Sequence, residues 1–205
     1  MKIPCTGVIL AGGQNSRMNR ENKAFISLGG KRIIDRILEV YRHFFDDIVL
    51  VTNSPSEYFD LDLRIVTDIK QTKSSLTGIH AGLFHAYHSW AMVLPCDLPF
   101  VKKEMIQVLL DHIKDRYSVI IPETSKGLEA LFAIYSKDNI PAIEHSLDRG
   151  RLKIQQFFNA KRIYKVSEKR LRVADPDLLS FYNINRPQDF EQALLIEQQQ
   201  RKAIP

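Results

Sequence analysis

Residues 7–18 read GVILAGGQNSRM, and a second short string, NKA, follows at residues 22–24. The apolar run at residues 8–10 is brief and β-branched and is followed closely by glycine, which predicts a buried strand that ends in a turn. This stretch decides the fold class, because a short buried strand near the start of a chain that then turns through small residues is typical of the first strand of a ligand-binding sheet.

The turn after this strand has the features of a polyphosphate site. Gly12 and Gly13 allow a sharp bend and bring bare backbone N–H groups close to a ligand. Arg17 and Lys23 add positive charge a few residues later. The Walker pattern is absent, and so is G-x-G-x-x-G, because the two glycines are adjacent. A turn with free N–H donors and two cations nevertheless suits a polyphosphate.

A second constellation, PCDLPF, occupies residues 95–100 and follows a predicted strand at residues 90–94. A lone aspartate in a turn is more often a cap or a turn former than a ligand. Asp97, however, stands between Pro95 and Pro99 at a strand end, where its carboxylate could hold a metal against phosphates bound by the first loop. Cys96 is not expected to be a nucleophile, since no base can be assigned to it.

The rest of the chain alternates between strand and helix patterns. Helical spacing of apolar residues is clear at residues 33–45, and continuous apolar runs predict strands on both sides of it. Further strands are predicted at residues 48–51, 64–67, 119–122 and 163–166, and further helices at 77–83, 105–113 and 140–147. This order predicts an α/β fold with three α/β/α layers and a mostly parallel central sheet, whose ligands bind at the carboxyl ends of the strands.

Composition sets the remaining bounds. With 205 residues, 44% of them hydrophobic, the chain is long enough for one core, and we predict a single domain over residues 1–205. The net charge of +5 permits an anionic partner, but without a basic run interleaved with aromatic residues we expect no nucleic-acid partner. We also expect no signal peptide, no membrane segment and no disulfide or zinc framework, which favours the cytoplasm.

The string at residues 10–24 resembles the nucleotide-binding loop of the nucleotidyltransferases that activate sugars, polyol phosphates and molybdopterin, LAGG-x-S-x-RMG-x-DKA. Asn19 stands where that family favours glycine, and Asn22 where it favours aspartate. PCDLP matches the family's metal-binding aspartate motif without a substitution. Residues 129–135 resemble its (E/Q)PLFA-x-Y segment, with Ala130 for proline, and residues 183–189 its N-x-N-T-P-E-D element, with Arg186 for threonine.

The resemblance implies a Rossmann-like nucleotidyltransferase with a nucleotide-binding half at about residues 1–100 and an acceptor-binding half at about 101–195. It also implies roles for particular residues. The catalytic candidates are Arg17, Lys23 and Asp97, with Mg²⁺ as cofactor on Asp97. The nucleotide-binding candidates are Leu10, Ala11, Gly12, Gly13, Lys23, Thr52, Asn53, Asp68 and Asp97. The acceptor-binding candidates are Glu129, Arg151, Lys153, Asn183 and Asn185.

Within this family the chain is most similar to the branch that acts on the molybdenum cofactor. That branch implies GTP and molybdenum-loaded molybdopterin as substrates, with transient contact to proteins that deliver molybdopterin or receive the product. Two alternatives stay open on the residues alone. One is a cytidylyl- or guanylyltransferase for another phosphorylated acceptor, such as a polyol phosphate. The other is a non-catalytic nucleotide-binding homologue, which the departures at Asn19, Asn22 and Ala130 favour.

Overall fold

The computed structural model describes residues 4–12 and 22–202. Its strands are β1 (Cys5–Leu10), β2 (Ser27–Leu28), β3 (Lys31–Arg32), β4 (Ile48–Val51), β5 (Arg64–Val66), β6 (Trp90–Pro95), β7 (Val119–Thr124), β8 (Gly127–Leu128), β9 (Ala133–Ser136) and β10 (Ile163–Ser167). Its α-helices are α1 (Ile33–Phe44), α2 (Ser75–His85), α3 (Lys103–Leu110), α4 (Ile140–Asp148), α5 (Glu168–Ala174) and α6 (Pro187–Lys202). Short 3₁₀ segments lie at Lys23–Phe25, Pro55–Leu61, Lys137–Asn139, Ile154–Phe157, Ala160–Arg162 and Leu179–Phe181.

The main sheet has the strand order β10-β7-β9-β6-β1-β4-β5, and β8 pairs with β7 beside this path. The strands from β5 to β6 run parallel, β9 is antiparallel to both of its neighbours, and β10 is again parallel to β7. In the central register Leu10 pairs with Val51 on one side and Pro95 on the other. The carboxyl ends of β1, β4 and β6 therefore reach the same edge of the sheet, at the point where the strand order reverses, with β4 on one side of β1 and β6 on the other.

Alternation along the buried strands divides the core into two layers. In β1, Ile9 packs with the face that α1, α3, α5 and α6 cover, whereas Val8 packs with the face that α2 and α4 cover. Strands buried on both faces need apolar residues at every position, which explains the continuous hydrophobic runs in the sequence. The prediction of a three-layer α/β fold with a mostly parallel sheet is confirmed.

Three details differ from the sequence predictions. The charged stretch at residues 168–172 belongs to α5, where buried Leu171 anchors the helix and Glu168 pairs with Arg172 one turn later. Residues 133–136, quoted above only as part of a motif, form the antiparallel strand β9 in the middle of the sheet. The helix predicted at residues 105–113 is shifted toward the N-terminus, since α3 spans Lys103–Leu110.

In the part of the chain that the structure describes, no helix combines the length and the apolar character needed to cross a bilayer.

We expect Gly7→Ala to lower the free energy of unfolding by about 1–3 kcal/mol, because a methyl group there overpacks a rigid core. The new Cβ would lie 2.6 Å from Cδ2 of Tyr41 and 2.7 Å from Cδ2 of Phe45, and both rings are buried. Urea denaturation measures the change. Gly12→Ala is the matched control, because among the described residues its Cβ would meet only the Asn53 amide, at 4.0 Å. Equal stability of the two variants would contradict the packing argument.

Candidate active site

A cavity of about 420 Å³ opens at the carboxyl ends of β1, β4 and β6. Eight residues predicted from sequence line it: Leu10, Ala11, Gly12, Lys23, Asn53, Asp68, Asp97 and Asn185. They come from six separate parts of the chain, and the shared edge of the sheet brings them together. Gly13 and Arg17, also predicted as site residues, lie outside the described residues.

Lys23, Asp97 and Asn185 form the polar centre of the cavity. The Nζ of Lys23 lies 3.6 Å from Oδ2 of Asp97 and donates a hydrogen bond of 2.8 Å to Oδ1 of Asn185. Lys23 begins a 3₁₀ turn that Asn22 caps, because the side-chain oxygen of Asn22 accepts from the backbone N–H of Ala24 at 3.1 Å. The cap gives Lys23 a defined position, and its ammonium contacts a carboxylate and an amide from distant segments.

Asp97 is held in an environment that disfavours its charge. Only 16% of its side chain is exposed, and burial raises the pKa of its carboxyl, while nearby Lys23 partly offsets the increase. Oδ1 of Asp97 is buried and has no hydrogen-bond partner among the described residues. A buried carboxylate oxygen without a donor is costly, so a ligand that supplies positive charge there would be favoured.

This unpaired oxygen is compatible with a hard divalent cation. Among residues 4–12 and 22–202, no group of three or more His, Cys, Asp and Glu side chains could enclose a metal. Mg²⁺ does not need such a cage, because it typically binds through one or two carboxylates together with substrate phosphates and water. The carboxylate of Asp97 is compatible with such a site, in which it would be a single protein ligand and the phosphates of a substrate would supply the others.

Asn53 and Asp68 form a polar wall elsewhere in the cavity. The side-chain amide of Asn53 donates to Oδ2 of Asp68 at 2.7 Å, and its Oδ1 accepts from the backbone N–H of Asp68 at 3.4 Å. Thr52, predicted to line the same region, is 1% exposed and does not line the cavity. Its hydroxyl donates to the carbonyl of Ala11 and accepts from the backbone N–H of Ser54. Thr52 therefore stabilises the backbone that follows β1 and β4 without facing the cavity.

Most of the predicted acceptor residues lie away from the cavity. Glu129 accepts from the hydroxyl of Thr124 at 3.3 Å, and burial raises the pKa of its carboxyl. Arg151, Lys153 and Asn183 are exposed on the surface, and none of the three lines the cavity. The spacing of residues in the sequence does not show which way a loop side chain faces, so these positions could not be separated from Asn185 in advance.

The cavity also contains residues that were not predicted to bind, among them Asn22, Lys73, Ser74, Ser75, Gly78, Cys96 and Leu131. Ser74 could have been found from the sequence, since a serine just before a predicted helix is a typical cap, and its hydroxyl accepts from the backbone N–H of Thr77 at the start of α2. Lys73 had no such signal, because an isolated lysine before a helix is ordinary. Burial raises the pKa of the Cys96 thiol to about 12, which agrees with its not being a nucleophile.

Asn22 is noteworthy because it departs from the family pattern. Its side-chain amide donates to Oε2 of Glu57 at 2.6 Å and to the hydroxyl of Tyr58 at 2.8 Å. An aspartate here would place its carboxylate against that of Glu57 and would lose both donated bonds. The neutral side chain therefore suits its surroundings in this protein while keeping the oxygen that caps the turn before Lys23.

Comparison with known proteins gives consistent results. Residues 7–165 match the family described as MobA-like NTP transferase domain. A relative from Desulfosudis oleivorans, named molybdenum cofactor guanylyltransferase, is 42% identical over 92% of this chain and 93% of its own length. A probable molybdenum cofactor guanylyltransferase from Pelotomaculum thermopropionicum is 34% identical, covering 97% and 96% of the two chains.

Solved structures agree with these sequence comparisons. Molybdopterin-guanine dinucleotide biosynthesis protein A from Archaeoglobus fulgidus superposes with a TM-score of 0.82 at 28% identity, covering 95% of this chain and 99% of that one. The 2-C-methyl-D-erythritol 4-phosphate cytidylyltransferase from Thermus thermophilus has a TM-score of 0.71 at 14% identity, covering 97% of this chain and 100% of that one. The second similarity shows the shared fold alone.

Proposed function

The chain belongs to the family of MobA-like NTP transferase domains, and we infer from this and from the cavity that it is a molybdenum cofactor guanylyltransferase. It transfers GMP from GTP to the terminal phosphate of molybdenum-loaded molybdopterin, forming the molybdopterin guanine dinucleotide cofactor and releasing pyrophosphate. The observation that carries the assignment is the convergence of Lys23, Asp97 and Asn185 at the end of β1, within the cavity that Gly12 lines.

The chemistry requires no nucleophile from the protein. The terminal phosphate of molybdopterin is already largely ionised near neutral pH, and it attacks the α-phosphorus of GTP in line while pyrophosphate leaves. Catalysis then consists of positioning the two substrates and neutralising the charge that develops. The backbone at Leu10, Ala11 and Gly12 lines the cavity from the end of β1 and supports the nucleotide there.

Lys23 is the described cation at the polar centre, and we assign it to the β- and γ-phosphates as they depart. Asn185 holds its ammonium at 2.8 Å, whereas Asp97 lies farther away at 3.6 Å. The hydrogen bond to Asn185 therefore holds the ammonium of Lys23 away from close contact with Asp97, whose Oδ1 has no partner among the described residues and is available to a metal. Arg17 and Gly13 keep the roles that the sequence predicts, on the phosphates and in the turn respectively.

Mg²⁺ is the cofactor that we propose for Asp97. Bound there, it would act as a Lewis acid that offsets negative charge on the reacting phosphates. The buried and unpartnered Oδ1 of Asp97 supports the proposal, because this oxygen has no donor among the described residues.

We propose that Asn53 and Asp68 contact the base or the ribose of GTP, because both line the cavity and their side chains hold one another in place. Thr52 supports that wall indirectly. Of the acceptor candidates, Asn185 has support from its place in the cavity. Glu129, Arg151, Lys153 and Asn183 stay predictions from the family resemblance, as do the transient protein contacts. The cytoplasmic location stays a prediction from the composition of the chain.

We expect GTP with Mg²⁺ to raise the thermal unfolding midpoint of the protein more than CTP, ATP or UTP does. A ligand at 100 times its Kd stabilises the folded state by about 2.7 kcal/mol. For a chain of this length that corresponds to roughly 5 to 10 °C. Thermal scans at equal nucleotide concentrations measure the difference, and the same scans with EDTA test the metal. A larger shift with CTP would instead favour the cytidylyltransferase alternative.

Pyrophosphate release separates an enzyme from a binding protein. With GTP, Mg²⁺ and molybdenum-loaded molybdopterin together, we expect stoichiometric pyrophosphate and the dinucleotide product. A polyol phosphate in place of molybdopterin tests the alternative acceptor. If GTP binds but no pyrophosphate forms under conditions in which a related enzyme works, the protein is a nucleotide-binding homologue and the assignment fails.

A further inference from the structure

An ion pair between a buried carboxylate and a partly exposed lysine lies outside the cavity and has no part in the function described so far. Asp175, in the turn after α5, has no exposed surface, and its Oδ1 lies 2.7 Å from Nζ of Lys102. A buried carboxylate is expensive, and replacing a buried ion pair with apolar residues is often neutral or stabilising. A contribution to overall stability is therefore a weak explanation for this pair, and its connections to the rest of the fold indicate another role.

The ion pair joins two segments that are distant in sequence. Oδ2 of Asp175 accepts from the backbone N–H of Ser180 at 2.7 Å, and the hydroxyl of Ser180 accepts from the backbone N–H of Lys102 at 3.2 Å. Ser180 is fully buried as well. We call Lys102, Asp175 and Ser180 the clasp. It fastens the segment that follows Asp97 to the segment that leads to Asn185.

The two fastened segments stay together from the clasp to the active site. The rings of Phe100 and Tyr182 meet with centroids 5.9 Å apart. Farther along, the backbone N–H of Ile184 donates to the carbonyl of Asp97 at 3.0 Å. The next residue is Asn185, which accepts from Lys23. A continuous series of contacts therefore runs from the clasp to the polar centre of the cavity.

The turn inside the clasp supports the same interpretation. Leu178 has a φ of 54°, in the left-handed region that L-residues with a side chain rarely adopt, and its N–H donates to the carbonyl of Asp175 at 2.9 Å. Such a conformation persists only where the surrounding contacts determine it. The clasp supplies these contacts, and the turn in return directs Ser180 back toward Lys102.

We propose that Asp175 is a positioning residue, and that through the clasp it sets the distance at which Asn185 holds Lys23 from Asp97. The proposal rests on the function assigned above to Lys23 and Asp97. When the clasp is released, Asn185 no longer competes for the ammonium of Lys23. Lys23 then moves onto the carboxylate of Asp97, which neutralises the group that must bind Mg²⁺ with the nucleotide.

The test is calorimetric binding of GTP, once with Mg²⁺ and once with EDTA, to the full chain and to its Asp175→Asn variant. Asparagine keeps an oxygen for the N–H of Ser180 but loses the charge that binds Lys102. The matched control is Glu197→Gln, a similar change in the half-buried ion pair of Glu197 with Arg36, which links α6 to α1 outside the cavity.

The Mg²⁺ effect is the ratio of the GTP affinity with Mg²⁺ to the GTP affinity in EDTA. We expect this ratio to be about 10-fold to 100-fold smaller in Asp175→Asn, the range typical of groups that orient a metal ligand. Its affinity for GTP in EDTA should change far less. Glu197→Gln should keep the full Mg²⁺ effect even if its thermal unfolding midpoint falls by as much as that of Asp175→Asn. If Asp175→Asn and Glu197→Gln show the same Mg²⁺ effect, the clasp has only a structural role and the proposal is wrong.

Two milder variants keep the test decisive if Asp175→Asn does not fold. Ser180→Ala removes one hydrogen bond and no charge, and it should reduce the Mg²⁺ effect in the same direction. Lys102→Arg keeps the positive charge beside Asp175 and should retain nearly the whole Mg²⁺ effect on GTP binding. A Ser180→Ala variant with the full Mg²⁺ effect would overturn the proposal. Failure of the unsubstituted protein to bind GTP at all would instead overturn the proposed function.

Discussion

Replacing Asp97 with asparagine is expected to lower kcat/KM for GTP by about a thousandfold, corresponding to roughly 4 kcal/mol of lost transition-state stabilisation. The reason is local. Oδ1 of Asp97 is buried without a donor, and the side chain stands at the end of β6, in the cavity that also contains Lys23. Asparagine keeps the size of the side chain but removes the charge that would hold Mg²⁺. Steady-state pyrophosphate release measures the loss.

The folded protein should tolerate this change well. Burial raises the pKa of Asp97, so the folded chain binds its proton more readily than the unfolded chain does. The stability that this group contributes is therefore fully present below its unfolded-state pKa and is lost as the pH rises through its folded-state pKa, above which the buried charge is a cost. The thermal midpoint of Asp97→Asn without ligand should thus be no lower than that of the unsubstituted protein.

The control for Asp97→Asn is Asp111→Asn, since Asp111 is an exposed carboxylate that accepts from Gln107 at the end of α3. We expect this variant to keep its activity. Near-normal turnover of Asp97→Asn with Mg²⁺ present would show that another group holds the metal. A large fall in its thermal midpoint would show instead that Asp97 is mainly structural.

Replacing Lys23 with methionine is expected to weaken GTP binding by a factor of about 30, or about 2 kcal/mol, the usual size of a lost charged hydrogen bond. Guanosine should bind with unchanged affinity. The ammonium of Lys23 lies between Asn185 and Asp97, whereas Asn53 and Asp68 belong to another wall of the cavity. Methionine keeps most of the apolar stem and removes only the charge. Calorimetric titration with GTP and with guanosine gives both affinities.

Lys165→Met is the control for Lys23→Met, because Lys165 forms an exposed ion pair with Glu123 on β10 and β7. Exposed pairs contribute little, so this variant should bind GTP normally. Equal losses of affinity for GTP and guanosine in Lys23→Met would place Lys23 on the nucleoside rather than on the phosphates.

Much of the candidate site could be predicted from short sequence motifs. Lys23 and Asp97 were identified because glycine, proline and charged residues at fixed spacing act locally, through turn geometry and rigid strand ends. Asn53 and Asp68 could be predicted because each closely follows a strand, and parallel strands end at one edge of a sheet. For these residues, position along the chain is nearly equivalent to position in the fold.

Other residues could not be separated by the same reasoning. Thr52 and Asn53 are adjacent, yet the first braces the carbonyl of Ala11 and the second lines the cavity. Asn183 and Asn185 belong to one motif, yet only the second reaches Lys23. Neighbouring residues in an irregular segment point in directions that depend on what packs against the segment, which is not encoded in the spacing.

The alternation of strands and helices, the two motifs that contribute to the cavity and the family can all be predicted without a structure, because periodicity and motif spacing are properties of short stretches. The packed fold is needed to see that β9 enters the sheet antiparallel between β6 and β7, and that the clasp joins Asp175 to Lys102. It is likewise needed to see that Asn185 meets a lysine 162 residues away. Contacts of this kind follow from strand order and register, which depend on how all the layers of the core pack together.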